Sequence, residues 1–222
     1  MTPNEILTHV DHTLLKPEAT AEQVAELCHE ALEYNTASVC INPRFIPLAV
    51  SILGDKVAVC TVIGFPLGAM STAAKVFEAK NAVEMGAKEV DMVVSIGDVK
   101  AGDFDAVTKE IAAIKEAVGD NILKVIIETC LLTDDEKRKL CHCVADAGAE
   151  YIKTSTGFST AGANEHDIAL FAEEINGSEI NGKIKIKAAG GIKSVDDMNN
   201  FLALGADRLG SSSAIKLLKP LM

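Results

Sequence analysis

Two lysines, each at the end of a short strand-like segment, are the residues of this chain with the clearest chemical potential. Lys153 ends segment 149–153 and Lys187 ends segment 184–187, and small residues with glycine follow both. A lysine inside a buried strand is costly unless it is paired or used. Two ammonium groups held close together lower each other's pKa, and a neutral amine is the nucleophile that forms a Schiff base. The pair therefore predicts covalent chemistry at a carbonyl carbon.

The elements that must hold these lysines follow a repeated design. A glycine, an alanine and a charged residue precede an apolar strand at 86–88, 148–150 and 205–207, and Asn35 opens a degenerate copy. The glycine suits the left-handed position after a helix. Three other apolar strands are preceded by a different three-residue segment, at 54–56, 119–121 and 181–183, and the two kinds of segment alternate along the chain. With a first strand at 10–14, the chain has eight predicted strands.

Amphipathic segments separate these strands, with apolar residues spaced three and four apart. They predict helices at 21–34, 72–85, 104–118, 134–147, 165–176 and 195–204. Strands that alternate with helices indicate parallel βαβ units, and near-continuously apolar strands suit a sheet buried on both faces. We predict a (β/α)₈ TIM barrel that forms a single domain over residues 1–222. The alternative is an open doubly wound sheet, although neither a GxGxxG nor a Walker A pattern is present.

In such a barrel the active site lies at the carboxyl ends of the strands. Neighbouring strands lie about 4.8 Å apart, so Lys153 and Lys187 are expected to face one cavity. Lys183 and Lys185 fall at the other end of their strand, where we expect them to be solvated. Asp91 is the natural inward carboxylate, either as a proton relay through water or as a plain buried ion-pair partner.

Two glycine-rich loops follow the last two predicted strands, with Gly190 and Gly191 in one and Gly210, Ser211 and Ser212 in the other. In barrels these loops commonly bind phosphate through backbone N–H groups. Glycine lets the backbone approach an anion closely, and serine hydroxyls donate further hydrogen bonds. The two loops together predict a phosphate site.

Composition narrows the class of protein. The net charge of −11 argues against nucleic-acid binding through a basic surface, but a local pocket can still bind an anionic small molecule. Apolar runs stay shorter than the roughly 20 residues that span a bilayer, which predicts no membrane partner. The N-terminal residues do not resemble a signal peptide, and six cysteines in ordinary strand and helix patterns predict a cytoplasmic protein. The CHC run at 141–143 lacks a second ligand pair, so we predict no metal there.

Six motifs together resemble deoxyribose-phosphate aldolases, strand by strand over nearly the whole chain. They are DHTLL at 11–15, SVCINP at 38–43, EVDMV at 89–93, KVIIET at 124–129, YIKTSTGF at 151–158 and IKAAGGI at 186–192. The resemblance implies a class I aldolase on a (β/α)₈ barrel that needs no metal or other cofactor. It also implies reversible cleavage of 2-deoxy-D-ribose 5-phosphate to acetaldehyde and D-glyceraldehyde 3-phosphate, in deoxyribose phosphate catabolism.

By this resemblance, Lys153 matches the Schiff-base lysine. Lys187 matches the second lysine, which lowers the pKa of the first and takes part in proton transfer, and Asp91 matches the aspartate that acts with it as proton donor or acceptor. Lys124 matches a lysine that holds the water network. The remaining matches contact substrate: pocket-lining residues Asp11, Cys40 and Thr156, and phosphate-loop residues Gly157, Gly190, Gly191, Gly210, Ser211 and Ser212.

The chain departs from the family pattern at two places. Phe158 stands where some members carry a phosphate-contacting lysine, and Met222 ends a tail without the terminal tyrosine that some members use. A homodimer is expected by analogy. Two alternatives stay open at this point: a sugar-phosphate epimerase or isomerase barrel without a covalent intermediate, and a sugar-phosphate-binding protein without catalysis.

Overall fold

Eight parallel strands form a closed barrel in the computed structural model, which describes all 222 residues. The strands pair in chain order and the last closes on the first. This confirms the single-domain (β/α)₈ prediction and excludes the open sheet. The strands are Val10–Leu14 (β1), Ser38–Ile41 (β2), Ala58–Ile63 (β3), Glu89–Val93 (β4), Ile122–Ile126 (β5), Tyr151–Lys153 (β6), Lys185–Ala189 (β7) and Arg208–Ser211 (β8).

Ten helices surround the barrel, and the six predicted ones begin at the predicted residue and end within one residue of the predicted end. Side-chain caps explain this agreement, because Thr20, Ser71, Asp103, Thr133, Asn164 and Ser194 each accept a hydrogen bond from the first turn. The helices are Pro3–Leu7 (α1), Ala21–Tyr34 (α2), Ile46–Leu53 (α3), Thr72–Glu84 (α4), Ile96–Ala101 (α5), Phe104–Val118 (α6), Asp134–Asp146 (α7), Glu165–Gly177 (α8), Val195–Ala203 (α9) and Ala214–Leu218 (α10).

The hydrophobic core lies between the barrel and the helices. Outward residues such as Val90, Met92 and Ile152 belong to one cluster of 54 buried side chains. The opposite faces of the same strands carry ionisable groups, among them Asp91 and Lys153, which point into the barrel and are also buried. The barrel interior is therefore ionic at its centre rather than filled by aliphatic layers.

Strand register brings the predicted groups side by side. Lys153 of β6 pairs with Lys187 of β7, and Asp91 of β4 pairs with Lys124 of β5. Lys185, two residues before Lys187 on the same strand, is exposed at the other end of the barrel, as predicted. None of the helices combines the length and the apolar character that crossing a bilayer requires.

Candidate active site

Asp91 is the centre of a buried network of lysines. Its Oδ2 atom accepts hydrogen bonds from Lys153 Nζ at 2.6 Å and from Lys187 Nζ at 2.7 Å. Its Oδ1 atom accepts one from Lys124 Nζ at 2.9 Å. Four consecutive strands, β4 to β7, thus direct one carboxylate and three amines to the same point.

Two further carboxylates complete this network. Asp11 accepts hydrogen bonds from Lys187 and from Arg208 Nη1, the second at 2.5 Å. Glu89 Oε2 lies 2.5 Å from Lys124 Nζ and 3.2 Å from Arg208 Nη1. Glu89 and Arg208 were not predicted from the sequence. The sequence feature that could have identified them is the two-residue period of strands, which places residues i and i+2 on the same face. Glu89 precedes Asp91 by two residues, and Arg208 precedes Gly210 by two.

The charges of this network do not balance while every amine in it is protonated. Four cations, from Lys124, Lys153, Lys187 and Arg208, face three carboxylates, from Asp11, Glu89 and Asp91. One positive charge is therefore in excess while all four are protonated. The buried network becomes balanced when one lysine is neutral. Burial favours this balance, because an uncompensated charge is costly in a medium of low polarity.

Lys187 faces two carboxylates in addition to the neighbouring lysine on which the sequence prediction relied. Burial does oppose its charge, but the carboxylates of Asp11 and Asp91 outweigh burial and hold the pKa of Lys187 above its usual range. Conversely, burial alone raises the pKa of Asp91, yet Lys124, Lys153 and Lys187 hold it well below its ordinary value. The carboxylates of Asp11 and Asp91 thus favour the charged form of Lys187, an effect that the sequence prediction did not include.

Two thiols border the network. Cys60 Sγ donates to Asp91 Oδ1 at 3.1 Å and accepts from Lys124 Nζ at 3.2 Å. Burial raises the pKa of Cys60, whereas a hydrogen bond from Cys60 lowers that of Cys40, its partner in register on β2. Cys40 is fully buried. It therefore lies close to the reactive groups without being exposed to solvent.

A pocket of about 230 Å³ opens above this network at the carboxyl ends of the strands. Its walls come from β1, from the loops after β6 and β7, and from β8. The lining residues are Thr13, Leu14, Leu15, Lys16, Lys153, Thr156, Gly157, Phe158, Ala189, Gly190, Gly191, Ile192, Gly210, Ser211 and Ser212. All the predicted phosphate-loop residues lie in this lining, together with Thr156.

Lys153 is the one member of the ionic network that reaches the pocket. Its residue is 3% exposed, while Lys187, Lys124, Asp91 and Asp11 are 0% exposed. Asp11, Cys40 and Lys124, which the resemblance assigns to substrate contact or to the water network, lie below the pocket instead of lining it. Within the ionic network, Lys153 is therefore the residue that lines the pocket.

Glu128, at the end of β5, holds the loop after β6 in place. Its Oε1 atom accepts from the Thr156 backbone N–H at 3.2 Å, and its Oε2 atom accepts from the Thr156 hydroxyl at 2.5 Å. Glu128 has a φ of 55°, a left-handed conformation that is uncommon for a residue with a side chain. It is buried, and its position in the KVIIET motif was its only sequence signal.

The loops after β6 and β7 fit against each other through glycines. A Cβ atom added to Gly162 would lie 2.2 Å from the Gly190 carbonyl oxygen, so only glycine fits there. The N–H of Ala163 donates to the carbonyls of Ala189 at 3.2 Å and Gly190 at 3.0 Å. These contacts join the two loops into one wall of the pocket.

Phe158 forms an apolar part of the pocket mouth. Its ring packs edge-on against Phe65, with 5.3 Å between the centroids, and its backbone N–H donates to the Thr156 hydroxyl at 3.0 Å. Half of the residue is exposed. No cation is available at this position, as the sequence indicated.

A closed (β/α)₈ barrel with a pocket at the carboxyl ends of its strands and a lysine at the pocket floor is typical of small-molecule enzymes. The comparisons identify which class. A family model described as DeoC/LacD family aldolase matches residues 6–211. The chain therefore belongs to the DeoC/LacD aldolase family.

Relatives agree over nearly the full length. A "Deoxyribose-phosphate aldolase" of Clostridium botulinum (strain Eklund 17B / Type B) is 55% identical over 97% of this chain and 95% of its own. A "Deoxyribose-phosphate aldolase" of Clostridioides difficile (strain 630) is 53% identical over 96% of this chain and 95% of its own. The tetrameric deoxyribose phosphate aldolase structure from Aeropyrum pernix is 32% identical, with a TM-score of 0.88 over 98% of this chain and 91% of that one. The structure of an aldolase named QR15 is 36% identical, with a TM-score of 0.91 over 97% of this chain and 95% of that one.

Proposed function

We propose that this chain is a class I deoxyribose-phosphate aldolase, which reversibly cleaves 2-deoxy-D-ribose 5-phosphate to acetaldehyde and D-glyceraldehyde 3-phosphate. The observation that carries the proposal is the position of Lys153. It alone joins a buried ionic network to a pocket lined by the glycine and serine loops after β6, β7 and β8. An amine at one part of the pocket and anion-binding loops at another suit a substrate with an aldehyde and a phosphate.

The reaction begins when the neutral amine of Lys153 adds to C1 of the open-chain sugar. Loss of water from the carbinolamine leaves an iminium ion, which accepts electrons from the bond between C2 and C3. A base removes the proton of the C3 hydroxyl as this bond breaks, and glyceraldehyde 3-phosphate leaves. The enamine is then protonated at carbon, and water releases acetaldehyde and Lys153.

Asp91 and Lys187 have separate tasks in this scheme. Asp91 contacts Lys153 directly, so it is placed to exchange protons with that nitrogen during the reaction. Asp11 and Asp91 favour the charged form of Lys187, which lies beside Lys153 on the neighbouring strand. The iminium carries one positive charge, as the protonated amine does, so Asp91 stabilises both.

The phosphate is assigned to the loops that carry Gly157, Gly190, Gly191, Gly210, Ser211 and Ser212. The left-handed conformations of Gly157, Gly190 and Gly191 bring backbone close to the pocket without side chains in the way. Ser211 and Ser212 supply hydroxyl groups that can donate to phosphate oxygens.

Reductive trapping tests the nucleophile. The protein is incubated with acetaldehyde, reduced with borohydride, and digested for mass spectrometry of the modified peptide. We expect a reduced ethyl adduct on Lys153, and we expect Lys153→Ala to abolish turnover. Lys185→Ala is the matched control, because Lys185 is exposed at the opposite end of the barrel and should leave both results unchanged.

Two outcomes contradict the proposal. Substantial turnover by Lys153→Ala removes this residue as the nucleophile. A folded wild-type sample without an adduct on Lys153 favours the sugar-phosphate epimerase or isomerase alternative, which needs no covalent intermediate. Turnover of deoxyribose 5-phosphate distinguishes either kind of enzyme, the aldolase or the epimerase or isomerase, from a protein that only binds the sugar.

The cytoplasmic location and the homodimer remain predictions of the same proposal. All six cysteines are unpaired, which supports a reducing compartment. Light scattering of the purified chain at several concentrations measures its mass in solution. A mass of one chain at every concentration would contradict the homodimer.

A further inference from the structure

We propose that Lys16 is the residue that makes the pocket select phosphorylated over unphosphorylated substrates, by pairing its amine with the substrate phosphate. This inference rests on the proposed function and names a specificity residue for it. Lys16 lies two residues after the end of β1 and was not among the residues predicted from the sequence.

The charge inventory of the pocket singles out Lys16. Among the 15 lining residues, Lys16 and Lys153 are the charged ones, and both are cations. Lys153 is engaged with Asp91 and, in the proposed reaction, with C1 of the sugar. The phosphate sits on C5, at the far end of the substrate from C1. One lysine cannot serve both ends at once, so Lys16 is the cation available to the phosphate.

The amine of Lys16 is free to take this role. The residue is exposed, and its side chain makes neither an ion pair nor a hydrogen bond with another residue. Its backbone is nevertheless fixed, because its carbonyl accepts from Asn42 Nδ2 at 3.1 Å and from the Ala19 N–H at 3.1 Å. A held backbone with an unpaired, mobile amine suits recognition of an anion that arrives from solvent.

The rest of the chain makes such a cation necessary. The net charge of −11 repels a phosphate dianion at long range. The glycine loops offer uncharged donors, and Phe158 contributes an apolar ring to the mouth. A charge-assisted contact from Lys16 therefore adds what neutral N–H and O–H groups lack, and such contacts are about twice as strong as neutral ones.

Steady-state kinetics of Lys16→Gln with two substrates tests the inference. For deoxyribose 5-phosphate, we expect KM to rise about tenfold, the effect of losing one charge-assisted hydrogen bond. For unphosphorylated 2-deoxy-D-ribose, kcat/KM should stay within about twofold, because no phosphate is present to lose the contact. Lys16→Arg keeps the charge and should retain most of the preference for the phosphorylated sugar.

Lys56→Gln is the charge-matched control, since Lys56 is exposed in the turn before β3, outside the pocket. An unchanged KM for deoxyribose 5-phosphate in Lys16→Gln overturns the inference. So does an equal loss with both substrates, or the same loss in Lys56→Gln.

Calorimetric titration with inorganic phosphate gives a readout that does not depend on turnover. We expect weaker phosphate binding to Lys16→Gln than to the wild type and to Lys56→Gln. If the wild-type protein has no aldolase activity, the proposed function is refuted. The phosphate affinities of the three proteins would still test whether Lys16 binds phosphate. Equal phosphate binding by all three proteins would refute the role of Lys16 alone.

Discussion

Each charged residue of the barrel interior has a task set by its contacts rather than by its type. Three lysines lie around Asp91, yet only Lys153 opens to the pocket. Asp11 and Asp91 favour the charged form of Lys187, and Asp91 and Glu89 favour that of Lys124, despite the opposing effect of burial. Chemically identical side chains therefore divide into one candidate nucleophile and two structural cations.

Lys187→Leu tests the electrostatic task of the second lysine. Removal of this positive charge makes protonation of the neighbouring amine easier, so the acid limb of the kcat/KM profile should move to higher pH. Turnover near pH 7 should fall sharply. The unfolding free energy should also fall by about 3 kcal/mol, because Asp11 and Asp91 lose a buried partner.

The measurements are a pH–rate profile and urea unfolding, with Lys185→Leu as the control on the same strand. A pH profile of unchanged shape and position would contradict the role given to Lys187. A shift shared with the control would point to net charge instead.

Glu128→Gln tests the residue that holds Thr156. The amide keeps the size of the carboxylate but replaces one acceptor oxygen with a donor, so one of the two hydrogen bonds to Thr156 is lost. We expect a severalfold rise in KM for deoxyribose 5-phosphate, with the imine adduct on Lys153 still formed. Kinetics together with trapping measure both, and an unchanged KM would show that the loop after β6 holds its position without Glu128.

Individual strands are joined across the barrel interior by ions as well as by their backbone ladders. Arg208 of β8 contacts Asp11 of β1 and Glu89 of β4, and its guanidinium lies 5.6 Å from the ring centroid of Tyr151. These contacts link the closing strand of the barrel to three others. The closure of the barrel thus depends on a side chain that also completes the ionic network.

Arg208→Met should destabilise the fold by about 3 kcal/mol, since it leaves Asp11 and Glu89 short of one buried cation. The double variant Arg208→Met with Glu89→Gln should recover part of this loss, because it removes one of the stranded carboxylates. Urea unfolding of the two single variants and the double variant gives the coupling between the sites. Additive losses would mean that Glu89 and Arg208 do not act on each other.

The sequence predicted elements where local signals are strong. Capped amphipathic helices such as Ala21–Tyr34 and Phe104–Val118 were found at their exact ends. Helix α3 was missed because residues 46–53 are almost entirely apolar and show no polar face. Glu89 was not singled out as a site residue, although it begins β4 and is buried. The partners of a buried charge come from distant strands, so their number could not be predicted from local pattern.

The whole molecule combines an acidic surface with a compact ionic interior, and its stability should depend on pH accordingly. The pKa values of Asp11 and Asp91 lie below their usual range in the folded chain, because the surrounding cations outweigh burial. Their contribution to stability is then fully present above the unfolded value of about 3.9 and is lost as the pH falls below it. For Lys124 and Lys187, whose pKa values are raised, the contribution is lost above about pH 10.

Urea midpoints measured from pH 3 to pH 7 check the acid side. We expect the midpoint to fall steeply below about pH 4, and Asp11→Asn to show a shallower fall from a lower starting stability. Equal slopes for the wild type and Asp11→Asn would contradict the contribution assigned to this carboxylate.

The interlocked glycines of the loops after β6 and β7 bear on how molecules enter and leave. Because the backbone of Gly162 lies against Gly190 and Ala163 is hydrogen-bonded to that loop, neither segment can swing outward alone. The two should exchange their amide protons with one shared opening free energy, as a single cooperative unit. Phe158 and Lys16 line the same pocket with exposed side chains, and rotamer changes of exposed side chains take nanoseconds or less.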